Sequence, residues 1–290
     1  MTTPIVLTPN NAAKVFKRYG GIEAKPVTAE DRGLAIGIYG PGGIGKTTLA
    51  ATITDSMLGM PALLLDARGN THVLASGYHD KIDVLPITKF SEVERVRQDV
   101  MRDKEFPYKS VILDNVSEMF HLDLRDRYGA ATQIEWTQHS ATTADVLQLV
   151  RNWYDMTLTA PRVNVVFVFQ ETPEARTIRG QKVESRSEIA FNKALQGQIP
   201  TLVSFLGRLY QISDTPPYTR MLSFAPVETV HQAKAQIDPN DPAARDMPLE
   251  QYNPSLASIL DSVRGHEPWP AAKHTRPGRG QSPQTPPAGS

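Results

Sequence analysis

The sequence predicts an α/β protein, a mostly parallel twisted sheet flanked by helices, and three observations carry that reading. Five apolar runs, Leu34–Tyr39, Ala62–Leu65, Val84–Ile87, Val111–Leu113 and Val163–Phe169, are near-continuous rather than alternating, as strands covered on both faces require. Segments of helical period lie between them, and that alternation is the signature of a doubly wound sheet. After the first run comes Gly40-Pro41-Gly42-Gly43-Ile44-Gly45-Lys46-Thr47-Thr48, a glycine-rich turn set between a strand and a helix.

The elements follow in order. Residues 1–32 form an N-terminal segment with one amphipathic helix expected over Asn11–Tyr19, where Ala12, Val15 and Phe16 share a face. The core domain spans 33–226. Its first strand runs into the glycine-rich turn, and Thr47-Thr48-Leu49-Ala50-Ala51-Thr52-Ile53 opens a helix. A helix over Ser91–Glu105 starts with Ser91-Glu92-Val93-Glu94, a capping-box pattern, and carries Val93, Val96 and Val100 on one stripe. Another over Thr143–Leu158 sets Val146, Leu149, Val150, Trp153 and Tyr154 at helical spacing. Arg208–Ile212 and Arg220–Phe224, separated by Pro216-Pro217, read as a hairpin that extends the sheet. Residues 227–266 form a C-terminal extension with a short helix over Ser255–Arg264. Residues 267–290, rich in Pro, Gly, Ser and Gln, have the composition of a disordered tail.

Composition narrows the function classes. The chain has 290 residues, 31 Lys plus Arg against 31 Asp plus Glu, and no cysteine. Balanced charge offers no global attraction to nucleic acid, and the lack of cysteine removes disulfides and thiolate metal sites. The first residues lack the basic-then-apolar pattern of a signal peptide, and no apolar run reaches membrane-spanning length. The expectation is a soluble cytoplasmic protein.

The spacing Gly40, four residues, Gly45-Lys46-Thr47 is that of a phosphate-binding loop. Glycines let successive backbone N–H groups turn toward phosphate oxygens, and the following helix start adds further donors. Residues 40–48 are therefore expected to cradle ATP, with Lys46 on its outer phosphates and Thr47 on Mg²⁺. The run Ser110-Val111-Ile112-Leu113-Asp114 ends in a carboxylate at the crevice, where it suits a metal-bound water. Asp114 equally suits a helix N-cap, because Asn115-Val116-Ser117-Glu118 follows. Gln170, at the end of the fifth run, is placed to hydrogen-bond an attacking water or the terminal phosphate, or to serve as an ordinary strand-end amide.

This succession resembles the RecA-type ATPase core: phosphate loop, Leu63-Leu64-Leu65-Asp66 strand, Val111-Ile112-Leu113-Asp114-Asn115 strand, apolar strand ending in Gln170, then a polar loop and a hairpin. More narrowly it is similar to phage-encoded, single-domain RecA-like recombinases of the Sak type, over about residues 33–226. The resemblance implies an ATP- and Mg²⁺-dependent protein that binds single-stranded DNA as a homo-oligomer in a bacterial host, with a single-strand-binding protein as a candidate partner. It assigns Lys46 and Gln170 to catalysis and Thr47 and Asp114 to the metal. It also sets the segment Glu171–Gly197, with Arg176, Arg179, Lys182, Arg186 and Lys193, as a mobile DNA-contacting loop. Because Glu171, Glu174, Glu184 and Glu188 interleave these cations, a merely solvated loop is an equal alternative.

One departure concerns the second strand. The RecA class ends it Asp-x-Glu, the Glu activating water; here it reads Asp66-Ala67-Arg68. A guanidinium cannot accept a proton, so hydrolysis is expected to be slow, to rely on Asp66 or Glu118, or to be lost. A nucleotide-switched protein-binding module therefore stays open as an alternative. The loop also resembles that of partition-type ATPases, which carry a lysine where Pro41 stands. A small-molecule kinase is a third alternative, although no acceptor-binding signature accompanies it.

Overall fold

The computed structural model describes residues 18–19, 22–23, 32–69, 71–129, 136–178, 181–213, 218–225, 232–235 and 247–264. The chain divides at Asp31 into two units. In the first, β1 (Arg18–Tyr19) and β2 (Ile22–Glu23) pair antiparallel. The helix expected over Asn11–Tyr19 is thus corrected at its end: Arg18 and Tyr19 are strand, and its other residues lie outside those described.

The second unit carries the sheet. Its central strands are β3 (Ala35–Gly40), β4 (Ala62–Asp66), β6 (Ser110–Asp114) and β7 (Asn164–Ile178), with β5 (Ile82–Pro86) at one edge. On the other side lie β9 (Phe205–Gln211), β10 (Arg220–Ser223) and β12 (Glu250–Tyr252), giving the order β12-β10-β9-β3-β7-β6-β4-β5. From β9 to β5 every neighbouring pair is parallel, while β10 and β12 are antiparallel additions. β8 (Gln181–Ile189) pairs antiparallel with the outer half of β7, and β11 (Lys234–Ala235) with β9.

Burial on both faces explains the unbroken apolar runs. Along β6, Val111 and Leu113 join one core, and Ile112 between them joins the other. The first core is closed by α2 (Phe90–Arg102), α3 (Val116–Tyr128), α4 (Trp136–Asp155) and α5 (Lys193–Leu202), with Trp153 fully buried. The second is closed by α1 (Lys46–Ala51), the 3-10 turn Thr52–Asp55 and α6 (Leu256–Arg264). Asn164 pins the start of β7: its Oδ1 accepts from the Leu34 N–H at 3.0 Å and its Nδ2 donates to the Leu58 carbonyl at 3.0 Å, so a buried amide is satisfied on both ends.

Several expected elements differ in detail, and the helix expected over Thr143–Leu158 runs Trp136–Asp155. The helix start expected at Ser91 falls at Phe90, with the Glu92 carboxylate accepting from Lys89 N at 3.0 Å and Thr88 N at 2.8 Å. Glu94, the residue expected to close the box, pairs with Arg97. The segment expected as a polar loop after Gln170 is instead the β7–β8 hairpin followed by α5. β9, expected as part of an extension, lies inside the parallel sheet next to β3. The hairpin turn at 214–217 and the tail from 265 onward lie outside the described residues. No helix among the described residues is long and apolar enough to cross a membrane.

Candidate functional site

The central strand β3 ends where the phosphate loop begins. A Cβ on Gly40 would sit 2.2 Å from the Leu209 carbonyl oxygen, so only glycine lets β3 end this close to β9. The loop turns through Gly43 at φ 73° and Gly45 at φ 97°, a region that L side chains rarely adopt. Ile44 turns its side chain into the core, which anchors the loop from beneath.

Gly42, Gly43, Gly45, Lys46, Thr47, Thr48 and Asp114 line one cleft of about 370 Å³. Lys46 is buried and donates from Nζ to the carbonyls of Gly40 at 2.8 Å and Pro41 at 2.7 Å. Burial lowers its pKa, the Arg68 charge adds to that, and the Asp114 and Glu171 carboxylates oppose it. The Thr47 hydroxyl donates to Asp114 Oδ2. Burial outweighs that bond and raises the Asp114 pKa, with Asp66 adding to the rise. The peptide bond between Asp114 and Asn115 is cis. Asn115, not Asp114, caps α3, its Oδ1 accepting from Glu118 N at 2.7 Å. Asp114 is thereby left to Thr47 and the cleft.

Asp66, the last residue of β4 and opposite Asp114 in the sheet, is consumed by its own turn. Its Oδ1 accepts from the N–H groups of Arg68 at 2.9 Å and Gly69 at 2.8 Å, and its Oδ2 from Thr71 Oγ1 at 2.9 Å. Glu118 is ion-paired with Arg68, Nε to Oε2 at 3.3 Å. Both carboxylates weighed as substitute bases are therefore engaged.

Gln170 does not line the cleft but reaches it through Arg68. With its amide oriented to suit its neighbours, Gln170 Oε1 accepts from Arg68 Nη1 at 2.8 Å and Nη2 at 3.1 Å. Its backbone N–H donates to Ser117 Oγ at 3.0 Å. The next residue, Glu171, holds Arg208 of β9 through two bonds, at 2.9 and 3.0 Å. Arg176, Lys182 and Arg186 lie on the β7–β8 hairpin, with Arg176 opposite Val183, Lys182 opposite Thr177 and Arg186 opposite Glu174. Arg179 lies outside the described residues.

Sequence reasoning missed Arg220. From β10 it reaches the loop so closely that a Cβ on Gly45 would lie 2.8 Å from its Nη1, and it lines the same cleft. The Arg68–Glu118–Gln170 cluster was missed as well. Both assemble residues far apart in the chain, so no local spacing marks them.

A family model described as an AAA domain matches residues 32–235, well over half of the chain. The chain belongs to this family. The AAA-domain match takes in the phosphate loop, Asp114, Gln170 and the hairpin. Among curated proteins nothing matches the sequence. Among solved structures the chain is similar to a RadB recombinase, with 17% identity, a TM-score of 0.42, and 67% of this chain and 80% of that one covered. It is also similar to a KaiC-like protein from the archaeon Pyrococcus horikoshii, with 12% identity, a TM-score of 0.40, and 66% and 78% covered.

Proposed function

We propose that this AAA-domain protein is an ATP-binding, RecA-like ATPase of phage or prophage DNA recombination, which binds single-stranded DNA as a homo-oligomer in an ATP-dependent manner. The observation that carries the nucleotide part is the convergence of Lys46, Thr47 and Asp114 on one cleft beneath a glycine loop.

The residues present fit Mg·ATP. A Cβ at Gly42 or Gly43 would meet nothing within 4 Å, so the loop's upper face is open to phosphate. Among the described residues, Lys46 Nζ donates to the loop carbonyls of Gly40 and Pro41, and phosphate oxygens are stronger acceptors for a buried ammonium. Thr47 and Asp114 would hold Mg²⁺, which characteristically takes few protein ligands and completes its shell with water and phosphate. When bound, Mg·ATP would supply the phosphoanhydride, with Mg²⁺ offsetting the charge on the outer phosphates. Lys46 would neutralise charge on the outer phosphates, and Thr47 and Asp114 would hold the metal. Arg68, standing where the RecA class has its base, cannot remove a proton from water, so turnover is slow.

Support for the DNA part comes from the resemblance and from the cations on the hairpin, Arg176, Lys182 and Arg186. Strand binding there would rest on backbone charge rather than sequence readout. The test measures Mg·ATP binding, single-strand retention and ATP turnover together, beside Lys46→Ala. The expected result is nucleotide binding that Lys46→Ala abolishes, and DNA retention that requires ATP. Wild-type protein that holds no ATP overturns the whole reading; ATP binding without DNA retention overturns the DNA part.

One observation favours a second reading, a nucleotide-switched module that recruits a protein. Asp66 is held by its own turn and Glu118 by Arg68, so among the described residues neither carboxylate weighed as a substitute base is unpaired. Tight ATP binding with no turnover, with or without DNA, decides for it.

A further inference from the structure

Resting on the nucleotide-binding reading, we infer that Arg68 discriminates triphosphate from diphosphate by exchanging Gln170 and Glu118 for the terminal phosphate. Four observations lead there. The Arg68 backbone is held by the Asp66 turn, whose Oδ1 accepts its N–H at 2.9 Å, so the root of the side chain is anchored beside the cleft. Its side chain is 42% exposed and lines the cleft with Lys46, Thr47 and Asp114. A guanidinium has five N–H donors in a planar fork, and Glu118 and Gln170 together occupy no more than three of them. Its positive charge is felt at both Lys46 and Asp114, the residues that flank the phosphates.

The acceptors it now holds are exchangeable. Gln170 offers a neutral amide oxygen, and the Glu118 contact is a long, partly exposed ion pair. A doubly charged terminal phosphate matches the fork better than either. A diphosphate lacks that group, so the guanidinium stays where it is. The exchange also releases the Gln170 amide, which stands at the root of the β7–β8 hairpin. Arg68 thereby turns the residue position that costs hydrolysis into one that reads the nucleotide.

The test is calorimetric titration of the full chain with Mg·ATP and Mg·ADP, comparing wild type, Arg68→Ala, Arg68→Lys and Glu118→Gln. Wild type is expected to prefer ATP by about tenfold or more, the scale of a charge-assisted bidentate contact. Arg68→Ala weakens ATP by about that factor and leaves ADP within about twofold; Arg68→Lys recovers the charge but only part of the preference. Glu118→Gln, which removes a competitor for the guanidinium, tightens ATP by about threefold and leaves ADP unchanged. An equal loss of both nucleotides in Arg68→Ala, or no loss of either, overturns the inference while leaving nucleotide binding standing. Wild-type protein that binds neither nucleotide overturns both.

Discussion

Gly45 meets two demands that no other residue satisfies together. Its φ of 97° lies where a Cβ strains the backbone, and the space a Cβ would take is held by the Arg220 guanidinium. The guanidinium is the far end of a flexible chain and can yield, whereas the backbone angle cannot. Gly45→Ala is therefore expected to destabilise the protein by about 1–2 kcal/mol, read from the midpoint of urea unfolding. It should also weaken Mg·ATP binding, because relaxing the strain reshapes the loop in front of Lys46. At this scale the phosphate loop was legible because all its parts are contiguous. Asp114 was legible too, since an apolar strand ending in a carboxylate is a local pattern. Arg220 and the Arg68–Gln170 contact were not, because only the order of strands brings β4, β7 and β10 residues to one loop.

Among the elements, the strand centres were readable and their ends were not. A run such as Val111-Ile112-Leu113 reports burial, whereas Ser110 and Asp114 join β6 through backbone pairing that leaves no apolar trace. β5 shows the limit: of the expected run Val84–Ile87, Val84 and Leu85 lie exposed in the edge strand and buried Ile87 falls just beyond it, while Ile82, outside that run, is the strand's buried residue. The outer half of β7 escaped notice for the opposite reason. Glu171–Ile178 is polar and holds Pro173, and its partner among the described residues is β8, so no apolar period marks it in the sequence. The β5 edge carries a testable contact. Tyr108 donates from its hydroxyl to Asp83 Oδ2 at 2.5 Å, and that bond, with burial, pushes its pKa up to about 12 from 10.0. A raised folded-state pKa means stability that is complete below about pH 10 and lost as pH rises through about 12. Solvent screening holds the effect to about 1 kcal/mol or less. Thermal unfolding across that window should show Tyr108→Phe with a flatter pH dependence than wild type, and phenolate absorbance should locate the titration.

For the whole molecule, the two cores on either face of one sheet tie the site to global stability. β3 is buried along its full length and lies between β7 and β9, so the loop it delivers cannot open without disturbing both layers. A ligand held by that loop should therefore stabilise the fold as a unit. At about 100 times its Kd, Mg·ATP is expected to add about 2.7 kcal/mol and raise the melting temperature by roughly 5–11 °C. Lys46→Ala should show no such shift in the same scanning experiment, and an equal shift in both proteins would place the nucleotide elsewhere.

β7 has a mechanical meaning. It runs for 15 residues, about 50 Å at the usual strand rise. Its first half is clamped between β3 and β6, and its second half leaves the sheet as one edge of a two-stranded ribbon. The clamp ends at Gln170, opposite Gly40. The register irregularity between Glu174 and Ala175 lies outside the clamp. A load on the ribbon beyond that point acts through a lever whose fulcrum is the mouth of the phosphate loop.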